Sequence, residues 1–527
     1  MKQENHKFWY ETKTGIKINM TQLYRFLSTM GILIVKLNES WFYIEIKHNI
    51  IREIDETFIS QFLKNHIRSL DIDQSEIDDI EETLRYKISR IIAKDQLMLL
   101  DDIELNLKKD DKETCYIYYK NKWLQITKDQ VKSESYGSLD GQVWKKKILS
   151  REFKLIDSDR EKLVEDCDFA KFIWNVSNKK TERFESLCSI IGYMIHEYKD
   201  PSENKAIILM DEVISDNPEG GTGKGIVMNA LSQIREMIIQ DGKNFTFNSR
   251  FSFQDVSHST SILTFDDVKI NFDIERLFSV MTDGLSVEQK GKKRFRIDKD
   301  DIPKTLISTN YVIKGRGNSH ERRRCEFEFS QHYNGVNTPL DEFGKLFFSE
   351  WDRDQWSLFD NFIIRCVQFY LERGLIQVKP INLLEKKIQF ETCPEFVDFI
   401  SYYSVNIKYN RKDLQEVFDL TYPEISDAKW YFSKTFINWL KKYASHMGYT
   451  YMTSRVNGGE TYFTYHQEIA ITEVKSPEQE RVEKDLSSEK GNEEIKTDKM
   501  PIDMKLNFLR KAPIDRSIQR KKNLNKS

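Results

Sequence analysis

The chain lacks paired cysteines. Its six cysteines are scattered, and no two of them form a C-x-x-C pair. Zinc knuckles depend on such pairs, and small disulfide-stabilised domains depend on closely spaced cysteines. The spacing therefore argues against both and favours a reducing cytosol. The cysteines are Cys115, Cys167, Cys188, Cys325, Cys366 and Cys393.

Long apolar segments are also missing. No stretch approaches the roughly 18 apolar residues that a membrane-spanning helix needs. The first residues, MKQENHKFWYETKTG, contain no apolar segment of the signal-peptide kind. We therefore expect a soluble, cytoplasmic protein with no membrane partner.

Neither sign of charge dominates, and no internal repeat is present. Charged residues make up 31% of the chain, yet the formal net charge is only −3. Overall charge thus neither predicts nor excludes a nucleic-acid partner, so the local distribution of basic residues must decide. The 527 residues exceed what one hydrophobic core usually serves, and 33 Phe and 23 Tyr are enough to build several.

Changes in composition and in hydrophobic periodicity divide the chain into six segments. After Pro394 two helical patterns precede YTYMTSRVNGGETYFTY, which alternates about an Asn-Gly turn typical of a hairpin. Helix, helix and hairpin is the order of a winged helix. The predicted segments are an α+β region of unknown role (1–110), a helical, collar-like region (111–199), an α/β core (200–335), a helical lid or connection (336–393), a winged-helix-like domain (394–470) and a disordered tail with a basic end (471–527).

A Gly-rich turn follows the apolar run KAIILMDEV in the α/β core. It reads NPEGGTGKG and ends in Gly223, Lys224 and Gly225. Successive backbone N–H groups in such a turn, ahead of a helix, form an anion-binding nest, and glycines allow close approach of a phosphate. The usual phosphate-loop pattern has a hydroxyl residue after the lysine, where this chain has Gly225. The predicted nucleotide-binding residues are Gly220, Gly221, Thr222, Gly223, Lys224 and Gly225.

Two further strands end in polar residues. The strand SILTFDDV ends at Asp266 and Asp267, and the strand KTLISTNYVI carries Thr309 and Asn310. A phosphate loop needs acids of this kind to hold Mg²⁺ and to orient the attacking water. A polar side chain such as that of Asn310 can hydrogen-bond the γ-phosphate or that water.

Basic residues are concentrated in two places in the core. The segment MTDGLSVEQKGKKRFRI places Lys290, Lys292 and Lys293 on a Gly-containing hairpin, which suits contact with a phosphodiester backbone. The segment ERRRCEFEF begins with an arginine run that could stabilise transition-state charge on a neighbouring subunit's nucleotide. By themselves, both patterns are also typical of solvated surface.

The ordered set resembles the helicase domain of superfamily 3, of the phage-, virus- and plasmid-type primase–helicases. The segments PEGGTGKG, ILTFDDV, DGLSVEQKGKKRFRI, PKTLISTN and ERRRCEFEF correspond in order to Walker A, Walker B, the B′ motif, motif C and the arginine finger. The resemblance implies an α/β P-loop (AAA+-like) ATPase core with a mainly parallel sheet. It also implies ATP and Mg²⁺ as cofactors, a homo-hexamer, and single-stranded or forked DNA as partner.

The resemblance also implies roles for single residues. Lys224 would bind phosphate, Asp266 would hold the metal with Asp267 orienting water, and Asn310 would sense the γ-phosphate. The hairpin lysines would grip single-stranded DNA. Arg323 or Arg324 would act on the neighbouring subunit, with Arg322 left as an alternative.

A full primase–helicase would also carry a primase domain. The acidic runs DIDQSEIDD and LLDDIEL fall on stretches that read as helical and polar, without a partner motif. Priming could instead reside on another chain, and a primase or an origin-binding protein is a possible partner.

The sequence thus predicts an ATP-dependent, ring-forming DNA helicase that serves replication of a phage or mobile element. Four alternatives stay open. They are a nucleotide-switched DNA-binding initiator, a primase–helicase whose N-terminal region primes, a related motor acting on protein or in packaging, and a structural protein with a degenerate phosphate loop.

Overall fold

The computed structural model describes most of the chain as two compact units. The first unit contains residues up to 211 and residues 221–378, and the second begins at residue 379. The predicted tail, the Asn-Gly turn, Gly220, Lys292 and Lys293 lie outside the described residues. The described residues are 7–37, 40–156, 165–212, 221–269, 271–290, 294–313, 318–379, 381–382, 387–389, 391–455 and 461–467.

The N-terminal part of the first unit combines small sheets with amphipathic helices. Sheet β3-β4-β5-β9 and sheet β10-β6-β7-β8 are separate, and β1 pairs only with β2. The strands are β1 (Trp9–Thr12), β2 (Gly15–Ile18), β3 (Ile32–Leu37), β4 (Ser40–Lys47), β5 (Ile50–Ile54), β6 (Cys115–Tyr119), β7 (Trp123–Ile126), β8 (Val131–Glu134), β9 (Val143–Trp144) and β10 (Ile148–Leu149). The helices are α1 (Met20–Thr29), α2 (Glu56–Arg68), α3 (Gln74–Ile91) and α4 (Lys94–Leu97).

One of the two acidic runs, LLDDIEL, does not form the helix that the sequence predicted. Residues 99–105 run beside β3, where the Ile34 N–H donates to the Asp101 carbonyl at 3.0 Å. The Ile103 N–H donates to the Ile34 carbonyl at 3.1 Å. These bonds satisfy the backbone in an extended conformation, so tertiary pairing overrides the local helical pattern. The other run, 71–79, leads into α3.

A parallel sheet forms the centre of the first unit. Among the described residues it has five strands in the order β12-β13-β16-β11-β17, and every neighbouring pair is parallel. All six residues of β11 are buried, as expected for a strand covered on both faces. The predicted mixed α/β fold with a mainly parallel sheet is confirmed. The strands are β11 (Ala206–Asp211), β12 (Met237–Asp241), β13 (Ile262–Val268), β16 (Lys304–Thr309) and β17 (Arg324–Phe329).

The order of the strands brings three strand ends together. The chain leaves β11 for the edge strand β12, returns through β13 and β16 to the side of β11, and then adds β17 on the other side. The carboxyl ends of β13, β16 and β11 therefore lie next to one another. Such a switch point in a parallel sheet is where ligands bind in open α/β folds.

Helices and a short hairpin complete the first unit. Helix α6 packs against α11 so closely that a Cβ at Gly192 would lie 2.3 Å from the Cys366 carbonyl oxygen. The helices are α5 (Asp168–Val176), α6 (Thr181–Ile195), α7 (Lys224–Ser232), α8 (Ile274–Asp283), α9 (Asn318–Arg323), α10 (Pro339–Phe343) and α11 (Arg353–Arg373), and the hairpin is β14 (Leu285–Val287) with β15 (Phe295–Ile297).

The second unit has its own aromatic core. Phe396, Phe418, Phe436 and Trp439 lie within it, with Phe463 from the last strand. Its helices are α12 (Pro394–Ser401), α13 (Arg411–Thr421), α14 (Pro423–Ser426) and α15 (Ser433–Met447), and its strands are β18 (Tyr409–Asn410), β19 (Thr450–Arg455) and β20 (Thr461–His466), which form a sheet in the order β18-β20-β19. The assignment of this unit as a winged helix, like the six segment boundaries, stays a prediction.

Within the described part of the chain, none of the helices combines the length and the apolar character needed to cross a membrane.

Candidate active site

The Gly-rich turn leads directly into α7, and its geometry requires glycine. Gly221 has φ +86° and Gly223 has φ +106°, values that residues with a Cβ rarely adopt. A Cβ on Gly223 would also lie 2.5 Å from Cζ of Phe172. Gly223 is the N-cap of α7, so the lysine that follows is the first residue of the helix.

Lys224 is held by two side chains from the strand ends. Its Nζ lies 2.5 Å from Oδ2 of Asp211, the last residue of β11, and donates to Oδ1 of Asn310 at 2.6 Å. The Thr222 hydroxyl donates to the other carboxylate oxygen of Asp211. Asp211 is 4% exposed, so Lys224 is the counter-ion of a buried carboxylate. Sequence reasoning missed Asp211, although an acid at the end of an apolar strand before the turn was a usable signal.

The two predicted acids sit on an irregularity of β13. The pairing of β13 with β16 shifts between Phe265 and Val268, and Asp267 has φ +55°. The Ser308 hydroxyl donates to Oδ1 of Asp266 and accepts the N–H of Asp267 at 2.7 Å. Ser308 thereby fixes both acids, and it too was missed by sequence reasoning.

Asn310 joins the lysine to the acids. Its Oδ1 accepts the bond from Lys224, and its Nδ2 lies 3.4 Å from Oδ1 of Asp267. Lys243 forms an ion pair with Oδ2 of Asp267, and that hydrogen bond raises the pKa of the Lys243 ammonium. Nothing in the sequence pattern around Lys243 pointed to this contact.

Apart from Asp211 and Lys243, the polar groups described above line one cleft with a volume of about 740 Å³. This is the size expected of a small-molecule or cofactor site. One side is formed by Gly221 to Ile226, Asp266, Asp267, Ser308 and Asn310, and the other by Asn334, Thr338, Pro339, Leu340, Lys345, Leu346, Phe347, Phe348 and Ser349. The sequence did not predict the second wall, because it comes from a segment without a recognisable motif.

A hydrogen-bond network anchors this second wall through Glu342 of α10. Its carboxylate accepts bonds from Asn175 at 2.8 Å and from Tyr333 at 2.9 Å, and it lies 3.0 Å from His332. Burial opposes ionisation, but the bonds from His332, Tyr333 and Asn175 outweigh it and lower the pKa of Glu342. The network ties α10 to α5, which also supplies the Phe172 ring beneath Gly223.

The arginine run does not line the cleft of its own chain. Arg322 is exposed, and Arg323 lies with its Cζ 5.4 Å from the centre of the Phe278 ring. Arg324 is buried at the start of β17, with its Nε 3.5 Å from a Glu326 carboxylate oxygen. A role for these arginines at a nucleotide would require another chain, and it stays a prediction.

The basic hairpin lies apart from the cleft. Lys290 is exposed after β14, and it is the hairpin lysine that the structure describes. The base of the hairpin packs on the N-terminal region, where the Phe295 ring lies 5.7 Å from that of Phe42. The prediction that this hairpin grips DNA stays open.

The cleft offers two carboxylates for a metal ion. Over the described residues, no group of three or more His, Cys, Asp or Glu side chains is arranged to hold one. Zinc and calcium sites usually draw on more protein ligands, whereas Mg²⁺ is commonly held by one or two carboxylates together with phosphates and water. Asp266 and Asp267 therefore fit Mg²⁺ bound together with a phosphate ligand.

Comparison with known proteins adds a family without an assigned function. Residues 217–324 match the model of a family of unknown function (DUF5906). The match runs from the Gly-rich turn to the arginine run, but it covers less than half of the chain. None of the curated proteins matches the sequence.

Among solved structures, two of the C-terminal region of NrS-1 are similar to this chain. The apo structure in its A form is 14% identical and covers 84% of this chain and 99% of its own, with a TM-score of 0.42. A second apo structure is 12% identical and covers 85% and 99%, with a TM-score of 0.40. Both TM-scores lie below 0.5, so this likeness does not assign the fold.

Proposed function

We propose that the chain is an ATP-dependent, ring-forming DNA helicase of the superfamily 3 type, serving replication of a phage or mobile element. One observation carries the proposal. Lys224, Asp266, Asp267 and Asn310, which are distant in sequence, line a single cleft at the carboxyl ends of adjacent parallel strands. Positive φ angles before α7 and the position of β11 between β16 and β17 support a P-loop, AAA+-like core.

The charges of the cleft favour a nucleotide that arrives with a divalent cation. The cleft is lined by the formal negative charges of Asp266 and Asp267 and by the formal positive charges of Lys224 and Lys345. Its lining is therefore formally neutral and leaves most of the charge of a bare triphosphate uncompensated. Mg²⁺ bound by Asp266 would neutralise charge on the phosphates and on the carboxylates.

Hydrolysis in this cleft would proceed by in-line attack of water on the γ-phosphorus. The bond to the bridging oxygen breaks, and ADP and phosphate leave. Lys224 would move from Asp211 and Asn310 to the phosphate oxygens, Asp267 would orient the water, and Asn310 would contact the γ-phosphate. Positioning and charge neutralisation supply most of the rate in reactions of this kind.

The proposal is tested by ATP hydrolysis with and without single-stranded DNA, beside a mass measurement with nucleotide bound and a strand-displacement assay on forked DNA. We expect hydrolysis stimulated by DNA, a hexamer, and unwinding. Binding to DNA without unwinding would instead favour the nucleotide-switched initiator. An equal rate of ATP hydrolysis with and without single-stranded DNA would favour a motor that acts on protein. Absence of ATP hydrolysis would favour a degenerate site.

Gly225 and Gly223 give a matched pair of substitutions within the turn. A Cβ at Gly225 meets no atom within 4 Å, so Gly225→Ser is expected to keep ATP hydrolysis within about threefold of the wild-type rate or to raise it. Gly223→Ala places a Cβ at a position with positive φ and against the Phe172 ring. This variant is therefore expected to lose ATP hydrolysis. The rate of phosphate release from ATP, measured at several Mg²⁺ concentrations, tests both variants.

An inactive Gly225→Ser variant that still folds would show that phosphate approaches the backbone at this position. Gly225 would then be needed for backbone contact with phosphate. It would not simply be a position where a water molecule replaces the usual hydroxyl ligand of Mg²⁺. An active Gly223→Ala variant would mean that the turn adopts another conformation when nucleotide binds.

A further inference from the structure

The second unit carries a surface with nucleic-acid chemistry of its own, in a part of the sequence that contains none of the nucleotide-binding motifs. Trp430 is 54% exposed and Phe432 is 64% exposed, whereas Tyr431 between them is buried in the core. Large aromatic rings that are this exposed lose favourable burial unless a partner covers them. Trp430 keeps contact with the core, since its ring centre lies 6.0 Å from that of Trp439 and 6.3 Å from that of Tyr431.

The chain segment that carries these rings contains no acids, although Asp419 of α13 accepts a hydrogen bond from the Tyr431 hydroxyl at 2.8 Å. Residues 428–459 contain no Asp or Glu in a chain whose net charge is −3. Lys429 and Lys434 flank the two rings and are exposed. Among the described residues, no carboxylate forms an ion pair with either lysine. Two cations that lack an ion-pair partner in the described part of the chain, next to exposed rings, favour an anionic partner that also has flat apolar faces.

The acid-free segment continues through α15 into β19, and the two elements are in contact. Five of the six residues of β19 are exposed, and they include Thr450, Thr453 and Ser454. Hydroxyl groups of this kind bind phosphate oxygens without reading sequence. These hydroxyls belong to the same acid-free segment as the rings and the two lysines.

We propose that this surface binds single-stranded nucleic acid, with bases stacked on Trp430 and Phe432 and phosphates held by Lys429 and Lys434. Single strands fit better than a duplex, because duplex bases are already stacked on each other and cannot cover a protein ring. An acidic peptide would satisfy the lysines but would leave the rings exposed. This binding needs no ATP, so it goes beyond the helicase proposal and can succeed or fail independently of it.

The test uses the full chain without ATP and a fluorescent oligo(dT) strand. The double variant Trp430→Ala/Phe432→Ala is expected to bind it about ten- to a hundredfold more weakly, which corresponds to stacking of one or two bases. Trp430→Phe/Phe432→Tyr is expected to keep most of the affinity, because the rings remain. The control Tyr402→Ala/Leu420→Ala removes two other exposed apolar side chains, 79% and 83% exposed, from an acid-containing segment and is expected to bind normally.

Salt dependence separates the lysines from the rings. Lys429→Ala/Lys434→Ala is expected to reduce the slope of log affinity against log salt by about 1.4, since two phosphate contacts are lost. Photo-cross-linking of a strand that carries 5-iododeoxyuridine is expected to label the peptide that contains Trp430 and Phe432. Lys224→Ala protein should show the same labelling, because hydrolysis is not involved.

Three outcomes would overturn the proposal. The first is a Trp430→Ala/Phe432→Ala variant that binds oligo(dT) with wild-type affinity, and the second is cross-linking confined to other peptides. The third is a Trp430→Ala/Phe432→Ala variant that loses binding to duplex DNA but keeps binding to single strands. Near-identical circular dichroism and melting temperatures of the wild type and the variants establish that weaker binding does not reflect unfolding.

Discussion

Lys224→Ala is expected to lower ATP hydrolysis by at least about a hundredfold at saturating ATP, because it removes the cation that reaches the phosphates. The structure adds a complication. The substitution also leaves the carboxylate of Asp211, 4% exposed, without its counter-ion. An unpaired buried charge costs about 3–5 kcal/mol of stability, so loss of activity could arise from loss of structure.

A second variant separates the two causes. Asp211→Asn/Lys224→Ala removes the uncompensated charge, and it is expected to melt at a higher temperature than Lys224→Ala while hydrolysing ATP no faster. Phosphate release and thermal unfolding of both variants are the measurements. Recovery of hydrolysis in the double variant would contradict the phosphate-binding role of Lys224.

Asp360→Ala is expected to destabilise the first unit by about 3–5 kcal/mol, because it leaves the buried Arg151 guanidinium without its counter-ion. Arg151 donates from Nε to Oδ2 of Asp360 at 3.0 Å and from Nη2 to Oδ1 at 2.6 Å. Arg151 also donates to the Gln233 carbonyl at 2.9 Å, just after α7, and its Cζ lies 4.5 Å from the Trp356 ring centre. The pair thus joins the N-terminal region to α11 and to the end of the helix that carries Lys224.

Urea denaturation followed by tryptophan fluorescence measures this effect. Glu81→Ala is the matched control, because it breaks an exposed ion pair with Arg68, and exposed ion pairs contribute little to stability. Arg151→Met/Asp360→Met replaces both charges by apolar groups and is expected to recover more than half of the stability lost in Asp360→Ala. A loss below about 1 kcal/mol in Asp360→Ala would show that water reaches Arg151 once the carboxylate is gone.

Much of the central sheet could be predicted from short segments. The runs before the Gly-rich turn and before Asp266 are mainly apolar, and each forms a largely buried strand, β11 and β13. Local composition is enough here, because strands covered on both faces are usually near-continuous apolar runs. The strand β16 is buried as well, although Lys304, Thr305, Ser308 and Thr309 are polar. The run 99–105 shows the opposite case, since its extended conformation depends on β3, a partner distant in sequence.

The candidate site divides in the same way. Lys224, Asp266, Asp267 and Asn310 could be named from the sequence, because each follows or ends a strand in a recognisable order. Asp211, Ser308 and Lys243 could not be assigned their contacts, because these arise where β11, β13 and β16 meet and where a bulge turns Asp267 to positive φ.

By itself, the sequence determined the chemistry that the chain can offer: a Gly-rich turn, two acids at the end of one strand and an amide at the end of another. Only the tertiary structure decided which of these groups meet. It placed a buried carboxylate against the phosphate-loop lysine, built the second wall of the cleft from residues 334–349, and left Trp430 and Phe432 exposed. The physical reason is that spacing along a chain sets the neighbours of a residue within one helix or strand, whereas burial and pairing depend on elements that fold against it from far away.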